Sequence, residues 1–330
     1  MMRRRRYVVR LTIQILCVQC MALGAAAVLA WLLGRLLSDR WAFSQWLLWI
    51  PTAAMLPAVL LGIFGALAPG RKVRLKRRRL RIWALCAICI AGYFSFIEHR
   101  LFRGAPPAQG ELTIAHWNMT HWRTEADRLR VLDLLCDITI LVDAWGLRRD
   151  PDLLDSLPED QTAFYVRRFM IITNQPIIEA RPLIAHDAAD VALLRLDCTE
   201  TLGRELVVYA VDLPSDPKLP RARTARQLRD LIAEADGPPP DVVVGDFNMT
   251  RNGAALGFAF PSLHHAFDDG GHGYTASYHR VFPLYHIDHI LLNDSLRAVR
   301  YDLINPNLGR HCIQKAWISN ESGATPAGDR

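Results

Sequence analysis

The chain has 330 residues, of which 51% are hydrophobic, and its 39 Lys and Arg against 33 Asp and Glu give a formal net charge of +6. That average joins two unlike parts: the first 103 residues hold 17 of the basic residues and two of the acidic ones, which leaves the remainder acidic by nine charges. The overall sign therefore does not indicate a nucleic-acid binder, because the part large enough to form a domain lacks the excess of Lys and Arg that neutralises phosphates.

In chain order, Arg3 to Arg6 and Arg10 precede an apolar stretch over residues 11–37, and a second follows over 46–67. A third, over 80–98, is shorter, with a basic run before it and Glu98, His99 and Arg100 at its end. The first two are long enough for a hydrocarbon core of about 30 Å and the third is marginal, so three transmembrane helices are expected. A cleaved signal peptide is the rival for the first stretch, but that stretch exceeds an h-region and two more apolar runs follow it. Pro51 and Pro57 are tolerable where neighbours satisfy the freed carbonyls, and Trp41, Trp46 and Trp49 cluster as an interfacial belt would. The run from Arg71 to Arg81 contains eight Lys and Arg; by the positive-inside rule it and the amino terminus are cytoplasmic. The reading is a multi-pass protein of the cell membrane whose carboxyl-terminal domain is periplasmic or extracellular.

Residues 104–110, rich in Gly, Ala and Pro, form a linker, and residues 111–318 alternate strand-like and helix-like patterns over a length that suits one α/β domain. Strands are expected over Leu112 to Asn118, Ile138 to Val142, Ala163 to Phe169, Ile177 to Ile184, Val191 to Leu196, Glu205 to Val211, Val242 to Gly245, Ile287 to Leu292 and Ala298 to Leu303. Helices are expected over Thr124 to Cys136 and Arg221 to Ala235. Consecutive strands with no helix between 163 and 211 imply an antiparallel meander rather than a doubly wound parallel sheet. The tail over 319–330 reads as disordered. Outside the apolar stretches only Cys136, Cys198 and Cys312 remain, whose spacing indicates neither a zinc site nor a disulfide framework, although one bridge stays open outside the cytoplasm.

The chemistry-bearing residues recur where apolar runs end. Asn118 follows Ile114-Ala115-His116-Trp117, Asp143 follows Ile140-Leu141-Val142, Asp212 follows Val207 to Val211, and Asp246 and Asn248 leave Val242-Val243-Val244-Gly245 together. Asp288 sits in His286-Ile287-Asp288-His289-Ile290, and His311 precedes the last apolar run. Any one of these taken alone reads as a solvated turn residue, since Asp and Asn favour turns for local reasons. Their ordered recurrence points instead to one polar cluster at the edge of the sheets. His264, His265, His272, His286 and His289 are read as surface or loop residues, though each could add a ligand.

With Gly245-Asp246-Phe247-Asn248, Ile287-Asp288-His289-Ile290 and the opening strand ending in Asn118, the chain resembles the endonuclease/exonuclease/phosphatase superfamily over residues 111–318, and more closely its membrane-anchored bacterial members. The resemblance implies a four-layer αββα sandwich of two mainly antiparallel sheets and a divalent-metal phosphoesterase site. It implies Asp143 and Asn118 as holders of one or two Mg²⁺ or Mn²⁺ ions, and Asp246 as the residue that orients and deprotonates water. It further implies Asn248 on a phosphate oxygen, Asp288 and His311 in the polar floor, and Tyr274 in a loop shaping the substrate site. Three positions depart from the family pattern: Asp143 for a longer glutamate, Asp212 for a histidine, and Arg310 for an aspartate. Asp212 would repel a phosphoryl group unless protonated, metal-bound or paired, and an exchange of charge in which Arg310 pairs Asp212 or turns to the phosphate would answer this. Two functions stay open: a membrane-anchored phosphoesterase acting on a lipid head group, a nucleotide or another phosphoester, with nucleic acid disfavoured by the acidic domain, or a binding domain that keeps the fold without catalysis.

Overall fold

A computed structural model describes residues 2–68, 73–120, 124–148 and 150–321, and divides into two compact units, the first ending at Arg100 and the second beginning at Leu101. The first contains α1 (Met2–Leu37), α2 (Ala42–Leu48), α3 (Met55–Ala66) and α4 (Val73–Gly92), the last continued by a wider turn over Tyr93–Glu98. Two segments, Arg5–Leu37 and Val73–Glu98, are long and apolar enough to cross a membrane. The expected second span is bent: Ala42–Leu48 and Thr52–Ala66 meet at 66°, so a third crossing exists only if the pair counts as one. Pro51 sits at that bend, where its missing N–H and its ring prevent the helix from running through. Arg35 takes up acceptors left there, donating to the Leu48 carbonyl at 2.9 Å and to Thr52 Oγ1 at 3.0 Å. Arg71 and Lys72 of the basic run lie outside the described residues.

The second unit has twelve described strands. They are β1 (Leu112–Asn118), β2 (Ile138–Val142), β3 (Thr162–Val166), β4 (Phe169–Thr173), β5 (Ile177–His186) and β6 (Ala189–Cys198). There follow β7 (Arg204–Asp212), β8 (Val242–Asp246), β9 (Leu263–His265), β10 (Asp288–Asn293), β11 (Leu296–Ile304) and β12 (Ile313–Asn320). They form two six-stranded sheets, in the orders β11-β12-β1-β2-β4-β3 and β5-β6-β7-β8-β10-β9. Pairing is antiparallel except for β1 with β2 and β7 with β8. Those two parallel pairs enclose the principal helices of the unit, α5 (Glu125–Leu134) and α6 (Arg221–Glu234), because a parallel connection needs a crossover long enough to hold a helix.

Three buried layers follow from strand alternation. Ile114, Ile140, Ile171, Leu194, Val208, Val244 and Ile290 pack between the sheets. The alternate residues face outward, Leu141 and Met170 against α5 and Val211 and Val243 against α6, which completes the αββα sandwich. One expected strand, over 163–169, is instead the hairpin β3–β4: the charged pair Arg167-Arg168 interrupts the apolar run, and Arg167 takes a positive φ of 55° in the turn. At the carboxyl end β12 extends through Ser319 to Asn320, where a disordered tail was expected, and the Asn320 amide donates to Glu111 Oε2 at 2.9 Å. Residues 322–330 of that tail lie outside the described residues.

Leu194 is fully buried between the sheets, so Leu194→Ala should lower the stability of the domain by about 2–5 kcal/mol through lost transfer energy and a residual cavity. Chemical unfolding of the full chain in detergent, followed by tryptophan fluorescence, checks this.

Candidate active site

Cross-strand register builds the site. Asp190 on β6 lies opposite Asp212 on β7, Asp212 opposite Asp246 on β8, and Asp246 opposite Asp288 on β10. Residues in one cross-strand row point to the same face, and two positions along each strand the chain places Ala192, Ala210, Val244 and Ile290 in the inter-sheet core. The four aspartates therefore end the same layer that those residues fill. Gly245 permits the row: a Cβ there would sit 1.8 Å from the Val211 carbonyl oxygen, so any side chain would push β8 from β7. Asn118 ends β1 in the other sheet and reaches across, its Nδ2 donating to Asp246 Oδ2 at 3.0 Å.

Beyond Asp246 the chain turns sharply. Asn248 adopts a positive φ of 51°, which Asn tolerates better than most residues. Its backbone N–H donates to Asp246 Oδ1 at 2.9 Å and its side-chain amide donates to the Leu213 carbonyl at 2.8 Å. Both oxygens of Asp246 thus accept fixed hydrogen bonds while the residue lines a cavity of about 760 Å³. Asn118, Asp143, Arg168, Asp212, Asn248, Tyr278, Arg310 and His311 line the same cavity.

His311 lies between two carboxylates. Its Nδ1 is 2.9 Å from Asp288 Oδ2, and its Nε2 is 3.8 Å from Asp246 Oδ2. Burial alone would lower the histidine pKa, but the charge and hydrogen bond of Asp288, with Asp246 beyond, raise it to about 9. Burial and the negative charge of Asp288 push Asp246 up to about 7. Asp288 itself is fully buried behind His311; burial disfavours its charge, yet the imidazolium outweighs this and holds its pKa low. A carboxylate that exchanges a proton near neutrality beside a fixed cation is suited to general base chemistry on an anion.

Asp143, also in the left-handed region with φ 55°, accepts from Trp145 Nε1 at 3.3 Å and lies 3.6 Å from Arg168 Nε. The expected pairing of Arg310 with Asp212 is not formed. Arg168, from the turn of the β3–β4 hairpin, ion-pairs Asp212 directly, because the hairpin end lies over the β7 end of the facing sheet. Arg310 is exposed at the cavity lining. Tyr274 lies outside that lining, with its hydroxyl on the Pro283 carbonyl, and Tyr278, its ring tilted 48° against that of His311 at 4.9 Å, takes the aromatic place beside the site. Arg168, Asp190 and Tyr278 escaped the sequence reading; the charged pair at 167–168 between two β-type runs was the available signal for the hairpin, though not for its partner.

The histidines read as surface residues divide. His264 and His272 are partly exposed, whereas His265, His286 and His289 are buried in one cluster whose ring nitrogens come within 4.8 Å of one another. The Phe267 amide donates to His265 Nδ1 at 3.0 Å, His265 Nε2 lies 2.7 Å from His289 Nδ1, and His289 Nε2 lies 2.8 Å from the Met249 carbonyl. Burial lowers the pKa of His265 well below 6.5 and that of His289 to about 4. Neutral rings with protons on both Nε2 atoms satisfy this whole chain, and its last link holds the segment that carries Asn248. The second group whose donors come within 4.8 Å is Asp246, Asp288 and His311. With the amide oxygen of Asn118 and the carboxylate of Asp143 at the same cavity, this oxygen-rich set fits a hard divalent cation.

The sandwich and this constellation of Asn, Asp and His define a class of fold and site. The model of the Endonuclease/Exonuclease/phosphatase family matches residues 113–320, and the chain belongs to that family. No curated protein matches the sequence. Among solved structures, an endonuclease/exonuclease/phosphatase family protein from Bacteroides thetaiotaomicron is 16% identical with a TM-score of 0.51, covering 64% of this chain and 96% of its own. A mannosyl-6-phosphatase from the same species is 16% identical with a TM-score of 0.50, covering 63% of this chain and 99% of its own. Both share the fold.

The His311 shift has a consequence for stability. A histidine raised from 6.5 to about 9 on folding stabilises fully below pH 6.5 and loses that contribution as pH rises through 9. Without divalent ions, the melting temperature of the domain should therefore fall steadily between pH 6.5 and 9. His311→Asn should remove that slope, as measured by fluorescence melting in detergent.

Proposed function

We propose that this protein is a membrane-anchored, divalent-metal-assisted phosphoesterase. The observation that carries the reading is His311, whose ring nitrogens lie 2.9 Å from Asp288 and 3.8 Å from Asp246 at the wall of a cavity. Asp246, oriented by Asn118 and by the Asn248 amide, accepts the proton of the attacking water. Asn248 spends one side-chain N–H on Leu213 and keeps the other for a phosphate oxygen. His311 offers its charge and its Nε2–H to the developing negative charge on phosphate or leaving group. Asp143 and Asn118, with Asp246, would hold Mg²⁺ or Mn²⁺. Such an ion supplies Lewis-acid neutralisation of the phosphate and lowers the pKa of bound water.

Family membership and the mannosyl-6-phosphatase fold relative support a phosphoester as substrate. The two long apolar helices support membrane attachment, and the basic run before the second favours a domain outside the cytoplasm. Asp212 and Arg310 favour the alternative of a non-catalytic binding domain, because both depart from the family pattern the sequence resembles. The ion pair from Arg168 answers the first of these objections by neutralising Asp212.

The full chain in detergent should hydrolyse bis-p-nitrophenyl phosphate or p-nitrophenyl phosphate with Mg²⁺ or Mn²⁺ and stop when the ion is chelated. Asp246→Ala should reduce kcat by about 10²–10⁴-fold, the range expected for removing a general base. A folded protein without turnover under any of these ions would instead establish the binding domain. For orientation, Ala105→Cys, at an exposed position before β1, should react with a membrane-impermeant thiol reagent in intact cells. Protection until lysis would place the domain inside.

A further inference from the structure

The cation at 168 belongs to no motif in the sequence, yet it is the residue on which the acidic wall of the cavity converges. Arg168 follows Arg167 in the turn joining β3 to β4, and both residues meet the end of the facing sheet. Arg167 Nε takes Asp190 Oδ1, while Arg168 Nε lies 3.4 Å from Asp190 Oδ2 and 3.6 Å from Asp143, and Arg168 Nη1 takes Asp212. Three carboxylates from two sheets thus converge on one guanidinium, Asp212 through a hydrogen bond to Nη1 and Asp143 and Asp190 at ion-pair distance from Nε. Among the described residues its Nη2 makes no hydrogen bond, and the side chain, a third exposed, lines the cavity with Asp246, Asn248 and His311.

We propose that Arg168 is a substrate-binding residue of this site, which presents its Nη2 donors to a phosphate oxygen, and that Asp143, Asp190 and Asp212 are the positioning residues that hold it. The proposal rests on the phosphoesterase reading for its substrate class. A guanidinium is planar, so with Nη1 bonded to Asp212 and Nε facing Asp143 and Asp190 the Nη2 edge is turned from the carboxylates, and a phosphate oxygen meets a donor already oriented. The aspartate at 212, which alone would repel an anion, becomes the clamp for a cation. With His311 and the exposed Arg310 also at the cavity, three cationic side chains surround the space a phosphate would fill.

Two variants of the full chain in detergent test this. Arg168→Met should lower kcat/KM for bis-p-nitrophenyl phosphate by about 10²–10³-fold, the loss typical of one preorganised donor to a developing oxyanion. It should also weaken competitive inhibition by inorganic phosphate at least tenfold. Added guanidinium ion should restore part of the activity of Arg168→Met, saturably, and should leave Asp246→Ala inactive. Arg168→Lys should retain the fold but remain impaired, because an ammonium cannot serve three carboxylates and an oxygen of the substrate in one plane. It carries the test should Arg168→Met misfold. Should the wild-type chain show no hydrolysis, the phosphoesterase reading fails and titration with inorganic phosphate decides the present one. Phosphate binding lost in Arg168→Lys or Arg168→Met sustains it, and binding that is unaltered, or missing from the wild type, overturns it. Wild-type kcat/KM and phosphate inhibition in either folded variant also overturn it.

Discussion

The structure of the site depends on holding a row of carboxylates at the end of an apolar layer. Asp190, Asp212, Asp246 and Asp288 occupy one register line on four neighbouring strands, where water is scarce on the core side. An ionised carboxylate removed from water is costly unless paired, and the chain meets that cost with three cations from elsewhere in the fold. Arg167 and Arg168 come from a hairpin of the opposite sheet and His311 from the approach to β12. The two sheets are therefore joined at their rim by charge, as they are joined at their centre by Ile, Leu and Val.

The pairing is uneven along the row, and this separates the roles of the acids. Asp288 is sealed and bound to His311, Asp212 is bound to an arginine, and Asp246 receives only hydrogen bonds from neutral amides together with a more distant imidazolium. Burial and the neighbouring charge of Asp288 consequently raise Asp246 toward neutrality. Behind it, the chain of His265 and His289 supports the Met249 carbonyl from the far side of β10. A turn containing a left-handed asparagine is thus tied at Leu213, at Asp246 and at Met249.

Much of this was legible in the sequence. Strand ends carrying Asn118, Asp143, Asp212, Asp246 and Asn248 do meet at one cavity, since period-two alternation and apolar runs report both the strand and where it stops. The hairpin β3–β4 was read as one strand because two arginines do not look like the Gly or Asn turn that usually marks such a break. Asp190 was missed for a related reason: its importance is its place opposite Asp212, and register between strands far apart in the chain has no local signature. The buried histidines looked like loop residues because sequence reports polarity and not the neighbours that satisfy it. Proline is tolerated in membrane helices, so Pro51 in the sequence does not by itself mark a break, yet the chain bends there around Arg35.

The clamp around Arg168 has an evolutionary consequence. Its members come from the β2 exit, the β3–β4 turn, β6 and β7, and a change at any one leaves the others with mismatched charge. Positions 143, 168, 190 and 212 should then vary as a block among homologues. Lineages with histidine at 212 would be free to lose the arginine, and lineages with aspartate there would keep it. Such linked inheritance would divide the family into branches by electrostatic wiring, independently of the Gly-Asp-Phe-Asn strand end.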